Sequence, residues 1–115
     1  MNKKQRLRHK CDRLWFRKYL DECCEVCGSI FGLQEHHYFY KSTYGHLRYE
    51  KDNHITLCKG CHFRLHHQDP KSVESEIAEK RGKRWLNRLK KKAKDRPTSS
   101  YQTISYYQGK IKELT

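Results

Sequence analysis

Acidic residues, prolines and long apolar runs are all scarce in this chain. It has 13 Asp and Glu against 26 Lys and Arg, two prolines, and 35% hydrophobic residues, with a mean hydropathy of −1.15. No stretch approaches the ~18 apolar residues of a membrane span, and the first residues contain no apolar run of the kind that a signal peptide needs. These absences argue against a membrane or secreted protein, so we expect a cytoplasmic location and no membrane partner.

The low apolar content also limits the hydrophobic core. A chain of 115 residues is expected to form one small domain, and compact units below ~70–80 residues usually need a disulfide or a metal. Six cysteines are present, and in a reducing compartment paired cysteines bind metal more often than they form disulfides. The net charge of +13 favours a polyanionic partner, which we expect to be DNA.

Two Cys-x-x-Cys pairs predict a structural zinc site. Cys24 and Cys27 form the first pair, and Cys58 and Cys61 form the second. Each turn of this kind presents two thiolates on one side, and zinc prefers four such ligands in a tetrahedron. Cys23 adjoins Cys24 but lacks the required spacing to the second cysteine of the pair, so Cys24 is the predicted ligand.

Histidines between and after these pairs predict a second, open metal site. His62 and His66 are four residues apart, so they share one face of a helix, and a hairpin before that helix can bring His36 beside them. Three imidazoles leave positions on a divalent ion for water and a phosphate oxygen. His37 points to the opposite side of the strand, where a neutral imidazole is suited to take a proton from water.

Asn53 and His54 begin the second predicted strand, which runs to Leu57. The Asn53 amide has two open roles, because it can hold the loop between the strands or give its oxygen to the metal. His54 is expected at the surface, solvated or in contact with DNA. The first strand of the hairpin is predicted over 33 to 40, and residues 41 to 52 are expected to form a polar loop. A helix is predicted from Lys59 to His67.

Together these residues resemble the HNH (ββα-metal) endonuclease family in its zinc-supported form. The resemblance covers about 24 to 67 and rests on Glu35-His36-His37, on Asp52 through His62, and on His66. It implies an α+β fold with a small ββα-metal core, stapled by the four-cysteine zinc site and flanked by basic α-helices. It also implies hydrolysis of DNA phosphodiester bonds to give 5′-phosphate and 3′-hydroxyl ends.

The resemblance implies a role for each residue of the motif. The catalytic ion, Mg²⁺ or another divalent metal, would bind the histidines of the hairpin and the helix: His36, His62 and His66. His37 would be the general base, and Asn53 would be the middle residue of the motif, also with a catalytic role. Because some members carry an Asp-His pair, an alternative register makes Glu35 the first ligand instead of His36.

The chain divides into four predicted segments. Residues 1 to 21 form a basic helix, and 22 to 68 form the core with its zinc knuckles. Residues 69 to 96 form a second basic helix, for which Asp69-Pro70 is a typical start. Residues 97 to 115 are predicted to form a break over 97 to 100 and then a tail with a weak helical pattern and no assigned partner.

Ten Lys and Arg residues lie between 80 and 96, and they predict contacts with DNA phosphates. Such contacts position a duplex but carry little sequence information. The densest group of predicted DNA-binding residues consists of Arg81, Lys83, Arg84, Arg88, Lys90, Lys91 and Lys92.

A weaker likeness concerns the origin and setting of the protein. The run from Leu47 to Asn53, followed by a Cys-x-x-Cys, is similar to phage recombination endonucleases of the NinG type, which implies a phage or prophage protein in the cytoplasm of a bacterial host. The predicted function is a metal-dependent endonuclease that hydrolyses DNA phosphodiester bonds, either by nicking or by double-strand cleavage, and the latter would need a homodimer or two visits. Two alternatives stay open: a zinc-ribbon module that binds nucleic acid without chemistry, and a nuclease active only with a phage packaging or recombination protein.

Overall fold

The computed structural model describes residues 1–98 and 100–115, so Ser99, inside the expected break before the tail, lies outside the described residues. The described chain is α+β, with five α-helices and one two-stranded antiparallel sheet. Two 3-10 turns, Gly45–Leu47 and Lys51–Asn53, interrupt the loop that was expected to be irregular. The elements in chain order are α1 Lys3–Tyr19, β1 Gln34–His37, β2 His54–Leu57, α2 Lys59–His67, α3 Pro70–Arg81, α4 Lys83–Lys94 and α5 Ile104–Leu114.

The sheet is a short hairpin in which His37 lies opposite His54 and Gln34 opposite Leu57. Strand β2 is buried along its whole length, whereas β1 buries only His36. The first strand is shorter than the predicted 33 to 40, because the chain leaves the sheet after His37 and is then held by Asn53. Helix α2 follows β2 directly and has the predicted bounds.

The predicted helix over 69–96 is wrong, because it is two helices that meet at Gly82. Asp69 caps α3 as expected, since its side chain accepts a hydrogen bond from the Ser72 N–H. At Gly82 the backbone takes φ 94° and ψ 165°, a region open almost only to glycine. Helix α3 has three basic and three acidic residues, whereas α4 has seven basic residues and no acidic one. The basic helix is therefore α4 alone.

The tail folds back onto the first helix. Helix α5 packs against α1, and the Cys11 thiol contacts the Tyr107 carbonyl at 3.4 Å. The two helices form a small core of their own with the loop before β2, made of Cys11, Trp15, Tyr49, Tyr107 and Leu114.

The larger core lies between the hairpin and helices α2, α3 and α4. Its fully buried aliphatic side chains come from all of these elements and from the loop before β2: Leu47, Ile55, Leu57, Leu65, Val73, Ile77 and Leu89. This core fixes α2 against the hairpin, and the cysteines border it. Among the described residues, no helix combines the length and apolarity needed to cross a bilayer.

Candidate metal centre and histidine site

The four predicted zinc ligands lie together. The sulfur atoms of Cys24, Cys27, Cys58 and Cys61 are all within 4.8 Å of one another, and those of Cys27 and Cys58 are 3.5 Å apart. Zinc–sulfur bonds of about 2.3 Å in a tetrahedron place neighbouring sulfurs about 3.8 Å apart. The cluster therefore fits a metal ion such as zinc.

Local backbone geometry shapes both cysteine turns. The Gly28 N–H donates to the Cys24 carbonyl at 2.9 Å, and Gly28 has φ 78°, which glycine adopts without strain. Cys58 caps the N-terminus of α2, and its sulfur accepts the Cys61 N–H at 3.4 Å. Burial raises the pKa of Cys24, but N–H groups near its sulfur outweigh that effect and lower it to about 7. The thiolate form, which binds zinc, is thus favoured at Cys24, whereas burial and the neighbouring thiols raise the pKa of Cys61.

The other two cysteines stand apart from this cluster. Cys23 is exposed, although it adjoins a ligand in sequence. Cys11 is buried between α1 and α5, where burial and the Asp12 charge raise its pKa to about 11. Neither belongs to a group of ligands in the described chain.

The three predicted histidine ligands also converge. One ring nitrogen of each of His36, His62 and His66 lies within 4.8 Å of the others. The His36 Nε2 atom is buried and has no hydrogen-bond partner among the residues that the structure describes. Burial, followed by the nearby imidazoles, lowers the pKa of His36 to about 3, so its free nitrogen is neutral at neutral pH. Converging imidazoles with a free ring nitrogen on His36 fit a divalent cation. Glu35 is exposed and is not part of this group, which favours the register with His36.

An open pocket of about 320 Å³ surrounds these histidines. The remaining residues on its wall are polar or aromatic: Glu35, His37, Tyr40, Lys41 and Ser42. His36 lies at the buried end of the ligand group, and His66 is exposed. The pocket therefore gives solvent and a bound molecule access to the histidine group.

His37 lies beside this group and is held by two separate contacts. Its Nε2 atom is 3.0 Å from the carbonyl oxygen of Arg48, and its ring stacks on Trp15 with centroids 4.2 Å apart and planes 12° apart. Because a carbonyl only accepts hydrogen bonds, Nε2 carries the proton and Nδ1 is left as an acceptor. Burial is the main cause that lowers the pKa of His37 to about 4, so the ring is neutral at neutral pH.

Besides the Trp15 stacking, helix α1 also supports His37 indirectly, because Asp12 holds Arg48. The Arg48 guanidinium makes two 2.8 Å hydrogen bonds to the Asp12 carboxylate, and the Tyr49 hydroxyl donates to the same carboxylate at 3.0 Å. Trp15, one turn along α1 from Asp12, also donates its indole N–H to the Glu50 carbonyl at 3.1 Å. The sequence reasoning missed this support, and its signal was the three-residue spacing of Asp12 and Trp15, which puts both on one helix face.

Asn53 has the first of the two roles predicted for it, which is to hold the loop between the strands. Its side chain is fully buried, and its Oδ1 atom accepts the Phe39 N–H at 2.8 Å. Its Nδ2 donates to the carbonyls of Phe39 and Leu47 at 3.1 and 3.2 Å. Asn53 does not line the histidine pocket, so its amide positions the loop and the metal-ligand alternative does not fit.

His54 is buried, and the expectation of a surface residue is wrong. Its ring lies under Trp15, with centroids 4.3 Å apart, and its Nε2 has no hydrogen-bond partner. Burial, followed by the charges of His37 and Arg81, lowers the pKa of His54 to about 4. Its position opposite His37 in the hairpin explains the burial, since Trp15 covers both rings.

The predicted DNA-binding residues differ in whether their charged groups already have partners within the protein. Arg81 is committed to the protein, since it pairs with Glu25 at 2.7 Å, donates to two backbone carbonyls and lies over the Trp85 ring. Arg88 and Lys92 face carboxylates of the loop before β2. The remaining members are exposed and form no ion pair among the described residues: Lys83, Arg84, Lys90 and Lys91.

No protein-family model matches this chain, and neither the curated proteins nor the solved structures contain a significant match to it.

Proposed function

We propose that this protein is a metal-dependent endonuclease that hydrolyses phosphodiester bonds in DNA. The observation that supports this proposal is the pairing of two unlike histidine environments in one open pocket. Three histidines converge with a buried, unpartnered His36 Nε2. Beside them His37 is neutral and oriented by a backbone carbonyl. The first arrangement suits a cation, and the second suits a proton acceptor.

A divalent cation would be held by the converging histidines, His36, His62 and His66, and its other positions would be left for oxygen ligands. When bound, it would supply positive charge to the scissile phosphate and to the departing oxygen. The neutral His36 nitrogen needs no proton release before it can bind an ion.

His37 would act as the general base through Nδ1. A water oxygen attacks the phosphorus, its proton passes to Nδ1, and the bond from phosphorus to the 3′ oxygen breaks. The departing oxygen takes a proton from solvent, and His37 then returns its own proton to solvent. Because the Arg48 carbonyl and Trp15 already fix the ring, little reorganisation is needed at the moment of transfer.

The cysteine cluster would have a structural role in this mechanism. Cys58 and Cys61 lie at the start of α2, and the helix carries His62 and His66. A zinc ion on the four sulfurs would tie that helix start to the turn at Cys24 and Cys27. The metal would thereby fix the position of two histidine ligands relative to the hairpin.

Helix α4 would bind the phosphate backbone. The helix has seven basic residues and no acidic one, and four members of the predicted group are exposed and form no ion pair within the described part of the chain: Lys83, Arg84, Lys90 and Lys91. Arg81 leaves the proposed contact set because its guanidinium is used within the fold. Such contacts would make binding strongly salt-dependent and nearly independent of sequence.

Cleavage of supercoiled plasmid in Mg²⁺ or Mn²⁺ tests the proposal. The wild type should nick DNA, whereas His37→Ala should lose roughly 100-fold or more of the rate, the usual contribution of a general base. His67→Ala is the matched control, because His67 is an exposed imidazole on α2 outside the ligand group. If His37→Ala cuts as fast as His67→Ala while both retain zinc, the role of His37 is wrong.

A zinc-ribbon module without chemistry is the second candidate. The observation that favours it is that the cysteine cluster and the basic face of α4 are complete without any histidine. This candidate predicts salt-dependent DNA binding by the wild type and no cleavage with any divalent metal. Replacement of His36, His62 or His66 would then leave every measured activity unchanged.

A further inference from the structure

A groove lined with aromatic residues leads away from the histidine pocket. Tyr40 lines that pocket and also a second one of about 320 Å³. The second pocket shares Phe39, Tyr44 and Lys90 with a third of about 220 Å³. We call this continuous surface the aromatic groove; its wall comprises Tyr38, Phe39, Tyr40, Thr43, Tyr44, Glu74, Leu86, Lys90, Ala93, Lys94 and Arg96.

The aromatic rings of the groove follow one another from the histidines outward. Tyr40 has its centroid 5.8 Å from that of His36 and 6.2 Å from that of His66. Farther along, Phe39 and Tyr44 are 5.0 Å apart with their planes tilted by 54°. Both rings are half-buried and pack against the larger core. Because they are not stacked face to face, their mutual contact leaves ring surface toward the groove that they line.

The charge along the groove is mainly positive. Lys90, Lys94 and Arg96 line its outer part and form no ion pair among the residues described, and the Arg96 guanidinium lies 4.7 Å from the Tyr44 centroid. Glu74 is the acidic residue of the wall, and its carboxylate accepts a hydrogen bond from the Tyr40 hydroxyl at 3.4 Å. Arg96 also donates a hydrogen bond to the Thr43 carbonyl at 2.9 Å, so a bound polyanion would place its phosphates mainly toward Lys90 and Lys94.

We propose that the aromatic groove binds unpaired nucleotides of the strand that is cut, next to the scissile phosphate. This inference rests on the proposed nuclease function. Aromatic faces combined with cations are the means by which proteins hold single strands, since every base can stack and every phosphate is charged. In a duplex the base faces are hidden in the stack, so only a base outside a duplex can use these rings. The preferred substrate would therefore contain a single-stranded segment beside the cleavage point.

Binding without cleavage tests this inference, in a His37→Ala background that should prevent hydrolysis. The probe is a fluorescent oligothymidylate, compared with a duplex at the same salt concentration. Phe39→Leu and Tyr44→Leu keep apolar side chains but remove the ring faces, so each should weaken oligothymidylate binding by roughly 5- to 100-fold and duplex binding less than twofold. Phe63→Leu is the control, because Phe63 is an exposed ring on α2 outside the groove.

Exposed cations give a second test that does not depend on core packing. Lys94→Gln with Arg96→Gln should weaken oligothymidylate binding more than Lys3→Gln with Lys4→Gln, a pair of exposed lysines on α1. The inference is wrong if oligothymidylate affinity is the same in the groove variants and their controls. It is also wrong if a proline-rich peptide, another ligand of aromatic grooves, binds there and oligothymidylate does not.

The two proposals fail in different ways. Plasmid nicking that is unaffected by Phe39→Leu or Tyr44→Leu, together with equal oligothymidylate binding, removes the groove and leaves the nuclease. Groove-dependent oligothymidylate binding by a wild-type chain that cuts no DNA in any divalent metal removes the nuclease and leaves the binding site.

Discussion

At the scale of single residues, the His37 ring is held by groups from two other parts of the chain, a backbone carbonyl and an aromatic side chain. The Arg48 carbonyl fixes which ring nitrogen carries the proton, and Trp15 fixes the plane of the ring. Asp12 holds the Arg48 side chain with two hydrogen bonds. A general base whose ring is oriented before the substrate binds needs little reorganisation during proton transfer. We therefore regard Trp15, Asp12 and Arg48 as positioning residues.

Loss of the stacked ring should slow the chemical step more than it weakens DNA binding. Trp15→Leu should lower kcat about 10-fold with little change in KM, because the His37 ring gains freedom. Trp15→Phe keeps an aromatic face and should recover most of the rate. Steady-state nicking assays on the zinc-loaded variants measure both constants. An equal loss in Trp15→Phe and Trp15→Leu, or a loss confined to KM, would contradict this role.

Protonation of His54 should destabilise the fold in acid. Its pKa is lowered from 6.5 to about 4 by burial, so the unfolded chain binds a proton at a higher pH than the folded one does. The contribution of His54 to the free energy of unfolding is therefore fully present above pH 6.5. It decreases by a few kcal/mol as the pH falls toward 4. His54→Phe should show a shallower loss of stability between these pH values. Urea unfolding at several pH values in this range measures the free energy of unfolding of both proteins. If the two values fall in parallel with pH, His54 does not have this effect.

The convergence of His36, His62 and His66 was predictable from sequence, whereas the contacts that support His37 were not. The four-residue spacing of His62 and His66 follows from helix geometry, and His36 follows from a hairpin that ends just before that helix. Trp15 lies more than 20 residues before His37 in the sequence, and a helical pattern does not reveal which distant element its face will cover. The burial of His54 has the same cause, because Trp15 covers it from outside the hairpin.

At the scale of elements, Gly82 separates a neutral helix from a basic one. Its conformation ends α3 and turns the chain so that α4 packs as a separate element. The break explains why Arg81 faces Glu25 and the hairpin, while exposed lysines of α4 face solvent. Local sequence did not predict this, because a glycine within a helical pattern is compatible both with a weakened helix and with a break.

Gly82→Ala should destabilise the protein by about 1–3 kcal/mol, the usual cost of this backbone region for a residue with a Cβ atom. The added Cβ meets no atom within 4 Å, so the cost would come from the backbone alone. Gly109→Ala is the matched control, since that glycine lies within α5 in equally open space and alanine should stabilise a helix by about 0.5–1 kcal/mol. Thermal or urea unfolding of both variants makes the comparison. Equal changes in the two would contradict the assigned break.

The predicted bounds were most accurate where capping residues marked them. Helix α2 and the start of α3 at Asp69-Pro70 agree with the structure, since both have sequence signals at the helix end. The strand β1 was predicted too long, because its aromatic residues have high strand propensity. The Asn53 side chain instead pairs with the Phe39 backbone and ends the sheet.

At the scale of the whole molecule, two small cores meet at the hairpin. The cysteine cluster borders the larger core, and α1 with α5 forms the smaller one. The site lies where they meet, since the larger core carries α2 and the smaller one carries Trp15. Docking of the tail was not predictable, because its apolar residues fit the body of the protein and a partner equally well from sequence alone.

Loss of one zinc ligand should unfold the larger core and abolish the histidine group. Cys24→Ser should release zinc and lower the thermal transition strongly, because metal binding energy contributes to folding. Cys23→Ser removes the adjacent exposed thiol and should retain full zinc content and the wild-type transition. Metal analysis with thermal unfolding distinguishes them. Zinc retention by Cys24→Ser with loss in Cys23→Ser would reassign the ligand.

The most direct measurement is the nicking rate of supercoiled plasmid at increasing Mg²⁺ or Mn²⁺, with one zinc already bound to the cysteines. The wild type should be inactive without added metal and should saturate as metal is added. His66→Ala should need a higher metal concentration or lose cleavage, because one of its three converging imidazoles is gone. A folded, zinc-loaded wild type that cuts no DNA at any metal concentration, or a His66→Ala protein with an unchanged metal dependence, would contradict the proposed nuclease.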